Sequence, residues 1–524
     1  MRSASTPPST SASALASDPA SAPLSGGMLW FAAIVLAAAN FIAVLDMTIA
    51  NVSVPNIAGG LSATTSQGTW VITSYAVAEA ITVPLTGWLA ARFGPVRVFV
   101  MAMAGFGLFS ALCGFATSLG MLVFARVCQG LAGGPLMPLS QTLLLRIFPP
   151  RMAPAATGLW AMTTLVAPVL GPILGGWLCD ELSWPWIFYI NLPIALVCAM
   201  LAWKLLKRYE SPLERTPIDR VGLGLLVLWV GALQVMLDEG KDLDWFASPL
   251  IIGLGVVAAV GFAAFLIWEL HEAHPIVDLR VFRHRGFSAS VLTISLAFAA
   301  FFGANVLTPL WLQNLMGYTA SEAGKATAWT GVFAVLVAPL AAGLSAKVDP
   351  RRLVFGGVLW LGIITLWRSV ADTGMDYWQI ALPLMVMGLG LPFFFVPLTG
   401  LALASVDEPE MASAAGLMNF LRTVSGAFAT SLVNTAWEDQ TTRNHAELVG
   451  LSDGDGSLLA LIQQGGQAAD GALQSLDQLI NAQSVMLATN QLMLATGVAF
   501  IIAAFAIWLA PKPTRQVDPA AGGH

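Results

Sequence analysis

Long apolar runs divided by short polar breaks dominate the chain. A helix needs about 20 mostly apolar residues to cross a bilayer core. Fourteen stretches have that character: 29–50, 69–90, 97–117, 119–144, 155–178, 186–206, 220–237, 249–269, 288–313, 324–346, 353–371, 378–403, 411–436 and 484–510. The pattern predicts an all-α membrane protein with 14 transmembrane helices. The Ser/Ala/Pro-rich segment 1–27 precedes the first stretch and no small-residue cleavage site follows it, so that stretch is read as a span rather than a leader. Residues 1–27 and 511–524 are expected to be disordered cytoplasmic tails.

Composition agrees. Of 524 residues, 57% are hydrophobic and 10% charged, against roughly 25% charged in an ordinary soluble domain. Soluble, disordered, collagen-like and disulfide-scaffold classes are excluded. Lys and Arg then set the orientation. With a cytoplasmic N-terminus, about 18 basic residues face inward, among them Arg92, Arg97, Arg146, Arg151, Lys204 through Arg220, Arg280 through Arg285 and Lys347 through Arg352. About 3 face outward: Lys241, Lys325 and Arg443. A net charge of −6 with no spare basic face argues against a nucleic-acid partner. Cys113, Cys128, Cys179 and Cys198 lie in apolar stretches and are expected to be reduced. One long outer loop, 437–483, remains, and it either docks a partner or is inert.

The chain repeats internally. PLMPLSQ (135–141) and PRMAPAATGLW (150–160) recur as FFFVPLTG (393–400) and PEMASAAGLMN (409–419). Pro138 and Pro397 are 259 apart, as are Met152 and Met411. VPLTGWLAARFGPVR (83–97) resembles APLAAGLSAKVDPRR (338–352) at an offset of about 255. The expected organisation is therefore a six-helix bundle at 28–206, a linker with two extra helices at 207–286, and a second six-helix bundle at 287–510. Parallel halves about a midplane site are a transporter plan.

Four local patterns lie on these helices: LDMTIANVSVP (45–55), GWLAARFGPVR (87–97), LVFARVCQGLAGG (122–134) and GLWAMTTLVAPVLGPILGGW (158–177). Together they resemble the major facilitator superfamily, specifically its 14-helix drug:proton antiporter family and the EmrB branch of the EmrB/QacA group. GTWVITSYAVAEAITVPLTGWLA, LQVMLDEGKDLDWF and HPIVDLRVF also look like that branch. The fold implied is the major facilitator fold. The fourth pattern resembles the antiporter signature: Gly158, Gly171, Pro172, Gly175 and Gly176 fit, while Ala167 replaces one glycine. Small residues at helical spacing let backbones approach closely. The second pattern is degraded, because Ala91 stands where the family has an acid. It keeps Gly87, Arg92, Gly94 and Arg97, and a weaker charge latch between helix ends is expected.

Ionisable groups inside spans are functional candidates by default. They are Asp46, Glu79, Arg126, Arg368 and Arg422. At 1.5 Å per residue, Asp46 lies roughly 12 Å and Arg126 roughly 10 Å below the outer surface, so the two match in depth. Burial and a nearby cation act oppositely on a carboxylate, which can leave it poised to release a proton. Asp46 is expected to carry the proton and Arg126 to tune it, as the resemblance also implies; a fixed structural ion pair is the alternative. Glu79 reads as a second proton site or a partner for cations. Arg422 reads as a contact for an anionic substrate or a cap on a neighbouring helix. Arg368, near an outer end, is expected to snorkel. Shifted by 259, positions 46 and 126 become Asn305 and Met385, so the second half lacks the charge pair.

Trp160, Met162, Asn305, Phe393, Phe394, Phe395, Asn419 and Arg422 are candidates for a cavity between the halves. Aromatic and Met side chains suit a large, loosely specified apolar ligand. No metal site and no cofactor is expected, the proton gradient being the energy source; His271, His274 and His284 cluster at an inner loop without further ligands. No nucleophile–base set suggests an enzyme. The expected function is proton-coupled efflux of hydrophobic drug-like compounds across a bacterial inner membrane, both termini being cytoplasmic. The resemblance further implies a periplasmic adaptor protein and an outer-membrane channel as partners. The alternatives are a dedicated exporter of one metabolite or fatty acid, and a non-transporting sensor or scaffold.

Overall fold

The computed structural model describes residues 24, 26–149, 152–211, 213, 217–345, 347–452 and 469–512. The expected tails fall almost wholly outside the described residues. Sixteen helices carry the architecture: α1 (Gly26–Gly60), α2 (Trp70–Thr82), α3 (Thr86–Phe93), α4 (Pro95–Gly114), α5 (Leu119–Gly133), α6 (Leu136–Ile147), α7 (Ala153–Glu181), α8 (Asn191–Leu206), α9 (Arg220–Glu239), α10 (Pro249–His271), α11 (Arg285–Asn314), α12 (Ala320–Ser345), α13 (Pro350–Arg368), α14 (Tyr377–Ala404), α15 (Met411–Ser452) and α16 (Ala469–Ala506). Pro84 and Pro135 stand where two stretches break into α2/α3 and α5/α6, because proline removes a helix hydrogen bond and clashes with the preceding turn.

Among the described residues, ten helices are long and apolar enough to cross a membrane, with α5 and α6 taken together. The count is eleven if the two arms of α7, bent by 46°, form one span. Apolar length alone therefore does not reach fourteen. The stretch at 69–90 is interrupted at 83–85, α13 carries arginines at both ends, and α15 is rich in Ala, Ser, Thr and Asn.

Packing follows the repeat. In the first half α1 packs on α7, α2 on α5 and α4 on α8; in the second, α11 packs on α15, α12 on α14 and α13 on α16. The halves meet where α7 crosses α12 and α15 crosses α3 and α6. Two of these crossings are close. A Cβ on Gly87 would run into Ser413, and a Cβ on Gly158 would lie 3.1 Å from Ala342. Gly87 and Ala342 are repeat-related positions, and Ser413 corresponds to Pro154, one turn before Gly158, so the two contacts are counterparts to within one helical turn. Both lie toward the ends that carry the basic loops.

α9 and α10 pair with each other, and α9 packs on α2. Their connection is tied to α15: Trp245 Nε1 donates to Thr435 Oγ1 at 2.8 Å and Lys241 pairs with Glu438 at 2.7 Å.

The segment expected as a long outer loop is largely helix. α15 runs on to Ser452 and the chain is helical again from Ala469; 453–468 lie outside the described residues. No proline interrupts α15, and polar rungs join it to α16. Trp437 Nε1 donates to Thr489 Oγ1 at 3.0 Å, and Asn444 Nδ2 donates to the Ser484 carbonyl at 3.4 Å and to Gln491 Oε1 at 3.3 Å. All four cysteines are free thiols.

Candidate functional site

Asp46 lies in the middle of α1, and Arg126 half-way along α5. The structure joins them: Arg126 Nη1 donates to Asp46 Oδ2 at 2.6 Å. Three further donors and acceptors complete the site. Asn191 Nδ2 donates to Asp46 Oδ1 at 2.6 Å, Gln129 Nε2 donates to the same oxygen at 3.1 Å, and Arg126 Nη1 also reaches Gln129 Oε1 at 2.8 Å. Arg126 Nε donates to the Val71 carbonyl at 3.0 Å, which brings in α2. Asn191 Nδ2 also donates to Ser110 Oγ at 2.9 Å, which brings in α4. The guanidinium lies 4.1 Å from the centre of the Tyr75 ring and 5.6 Å from that of Phe188. One carboxylate thus gathers groups from α1, α2, α4, α5 and α8. Removing one partner of such a buried pair typically costs about 3–5 kcal/mol, because the other charge is left unpaired.

Asn191 and Gln129 carry no charge, so the rule that charge within a span marks function does not reach them. The signal available was a polar amide inside an apolar stretch, which is weak because amides are frequent in membrane helices.

Glu79, buried in α2, forms no hydrogen bond through its carboxylate among the described residues, yet the charges of Arg126, Asp46 and Arg422 all act on it. It stands between the pair and a second cluster. That cluster lies where α6, α7, α11, α14 and α15 meet. Trp160 stacks on Phe395 with centroids 5.7 Å apart, and its Nε1 donates to Ser140 Oγ at 3.1 Å. Phe394 and Phe395 pack against Phe298. Asn419 Nδ2 donates to Gln141 Oε1 at 3.2 Å, across the boundary between halves. Arg422 lies over Trp160, Phe298 and Phe395 at 5.7, 5.1 and 5.7 Å.

Other expected residues are placed elsewhere. Phe393 lines a groove of about 330 Å³ between α13 and α14, with Gly357, Trp360 and Gly390, away from the central cluster. Met162 and Asn305 are half-buried and make no polar contact among the described residues. Arg368 does not snorkel: it donates to Thr308 Oγ1 on α11 and turns toward Met387 Sδ, 3.8 Å away on α14.

Of the antiporter-like glycines, Gly171 and Gly175 pack α7 on α1 next to the charge pair, while Gly158 faces α12. A Cβ on Gly171 would collide with Thr48, and one on Gly175 would lie 3.1 Å from the Ile49 carbonyl. Gly176 meets nothing, and the side chain of Pro172 lies outside what the structure describes. In the inner-loop pattern, Gly94 has φ +90° and starts α4. Ala91 supplies no anion, but Glu210 brings one to this turn. Its carboxylate accepts from the Val96 and Arg97 amides, each at 3.1 Å, and lies 3.8 Å from Arg97 Nε. Negative charge at a helix N-terminus is favourable. Arg92 closes α3.

The sequence reading left His284 without further ligands, but the fold brings two carboxylates from another loop to it. His284, Asp407 and Glu410 bring ligand-type atoms within 4.8 Å of one another at the starts of α11 and α15. Glu410 is already held by Arg283 at 2.6 Å and His284 at 2.9 Å.

Comparison with known proteins places this geometry. The sequence profile of the Major Facilitator Superfamily matches residues 36–430. The fatty acid resistance protein FarB of Neisseria gonorrhoeae is 43% identical over 506 residues, 96% of this chain and 99% of its own length. The multidrug export protein EmrB of Escherichia coli K12 is 41% identical over 507 residues, again 96% and 99% of the two chains. Among solved structures, the human organic anion transporter MFSD10 superposes with a TM-score of 0.57 at 13% identity, covering 91% of this chain and 99% of that one; the likeness concerns the fold.

Proposed function

The chain belongs to the Major Facilitator Superfamily, and on that premise we propose that it is a proton-coupled antiporter that exports hydrophobic drug-like compounds. It is a multi-pass membrane protein of the multidrug export kind, a transporter rather than an enzyme. The observation that carries proton coupling is the buried Asp46–Arg126 pair at 2.6 Å. With Asp46 ionised, its carboxylate holds donors from α5 and α8 against α1. A proton cancels that charge, leaves Arg126 with only neutral acceptors at Gln129 and Val71, and loosens α1 from its neighbours. The close crossings of the halves at Gly87 and Gly158, at the ends with the basic loops, support a reading in which that side is closed. In that state the proton enters from outside to reach Asp46. Substrate then binds from the cytoplasm once Asp46 has released the proton inward.

The fuller reading has fourteen spans in two six-helix bundles with α9 and α10 between them. Both termini are cytoplasmic, the membrane is the bacterial inner membrane, and a periplasmic adaptor and an outer-membrane channel are the partners. The positive-inside count and the kinship with EmrB-type proteins support it. A narrower range, centred on fatty acids, is favoured by the kinship with FarB. Proton-gradient-driven uptake of a drug panel into inverted vesicles tests the proposal. Uptake abolished by collapsing the gradient supports it, and no uptake of any compound under any gradient overturns it.

A further inference from the structure

Arg422 lies eleven residues into α15, about 17 Å from its inner end and so near the middle of a bilayer core. It is 5% exposed. No carboxylate pairs with it among the described residues. Its Nη2 points at Met137 Sδ, and a thioether is a weak acceptor for a guanidinium. Glu79 acts on it through space but makes no hydrogen bond to it.

Two rungs join α15 to α6 here, Arg422 to Met137 and Asn419 to Gln141. They lie one helical turn apart on antiparallel helices from opposite halves. Each rung leaves a donor unused: Arg422 Nη1 and Gln141 Nε2 are buried and unpartnered. Unpaired donors of this kind are rare in folded proteins and ask for an explanation. Around them the faces of Trp160, Phe298 and Phe395 supply an apolar wall.

We propose that Arg422 and Gln141 receive the head group of an amphipathic organic anion, a carboxylate or sulfonate, whose apolar body lies along Trp160, Phe298 and Phe395. The planar fork of arginine suits such a head group. The anion replaces the Met137 sulfur as the partner of the guanidinium. Because the two donors come from different halves, the head group binds across the boundary that must move in transport. This deepens the exporter reading and rests on it.

The test uses the purified full-length chain in proteoliposomes and two probes with the same tail, dodecanoate and dodecyltrimethylammonium. Arg422→Gln is expected to lower the ratio of dodecanoate to dodecyltrimethylammonium transport at least tenfold. Arg422→Lys should keep at least a third of dodecanoate transport, and Gln141→Leu should lose about threefold. In the unmodified protein, dodecanoate should displace a fluorescent carboxylate probe at least tenfold more effectively than dodecanol, which requires no variant to fold. Equal loss of both probes in a monodisperse Arg422→Gln protein would overturn the inference, as would loss of neither, or equal displacement by acid and alcohol. An unmodified protein that carries the cation but not the anion sinks this inference alone. One that carries neither sinks the exporter reading with it.

Discussion

Asp46 Oδ2 and Arg126 Nη1 are 2.6 Å apart, and each side chain is 1% exposed. Two full charges so deep in a membrane protein hold only while paired, and that sets the first expectation. Asp46→Asn is nearly isosteric and should fold, while transport driven by a pH gradient falls at least tenfold. Arg126→Gln should also stop transport and in addition lower stability by about 3–5 kcal/mol, since it strands the carboxylate. Gradient-driven uptake and thermal unfolding in detergent separate the two; normal uptake by Asp46→Asn would refute proton carriage at this position.

Asn191 holds Asp46 and Ser110 with one amide nitrogen. Asn191→Leu leaves both oxygens short of a donor, at a cost of about 1–3 kcal/mol. Transport at neutral pH should fall about tenfold and its pH profile should be displaced. An unmoved profile with lowered stability would reduce Asn191 to a packing role.

Gly87 lies where α3 crosses the start of α15, with the Ser413 backbone close behind it. Gly87→Val should hold the halves apart at the ends with the basic loops. A cysteine placed at Ser413 should then react with a membrane-impermeant maleimide in inverted vesicles at least tenfold faster than in a chain that keeps Gly87. Unchanged labelling would show that this crossing does not close the inner side.

Asp349 caps α13, accepting from the Arg351 amide at 3.0 Å, and Arg351 ties it to the Ala510 carbonyl beyond α16. Its hydrogen bonds to the Arg351 side chain hold the Asp349 carboxyl below the ordinary carboxylate range. A lowered folded value means the contribution is complete above about pH 4 and is lost as pH falls through the folded value. Asp349→Ala should cost about 1 kcal/mol at pH 7, and the difference from the unmodified chain should vanish in acid. Unfolding curves at pH 7 and pH 3 decide it.

The apolar stretches were readable because a bilayer forces each helix to be long and apolar, and Asp46 and Arg126 because charge inside such a stretch is rare. Their uncharged partners Gln129 and Asn191 looked like ordinary span residues. The Phe393–Phe395 run misled for a geometric reason: successive residues point about 100° apart around a helix. Phe394 and Phe395 therefore face Phe298 while Phe393 faces the groove beside Trp360. Arg368 departed from snorkelling because Thr308 offers an acceptor inside the bundle. The continuation of α15 beyond residue 437 was hidden by its polar composition, which reads as loop unless the partner helix is known.

That continuation makes α15 a rod of 42 residues, about 63 Å long and roughly twice the thickness of the hydrocarbon core. Its base forms the crossing with α3, Arg422 lies about a quarter of the way along, and its far end is braced by α16. A stiff lever of this length cannot tilt at its base without sweeping its tip through a wider arc. Small rearrangements at the membrane centre are thus magnified at the far end of the helix.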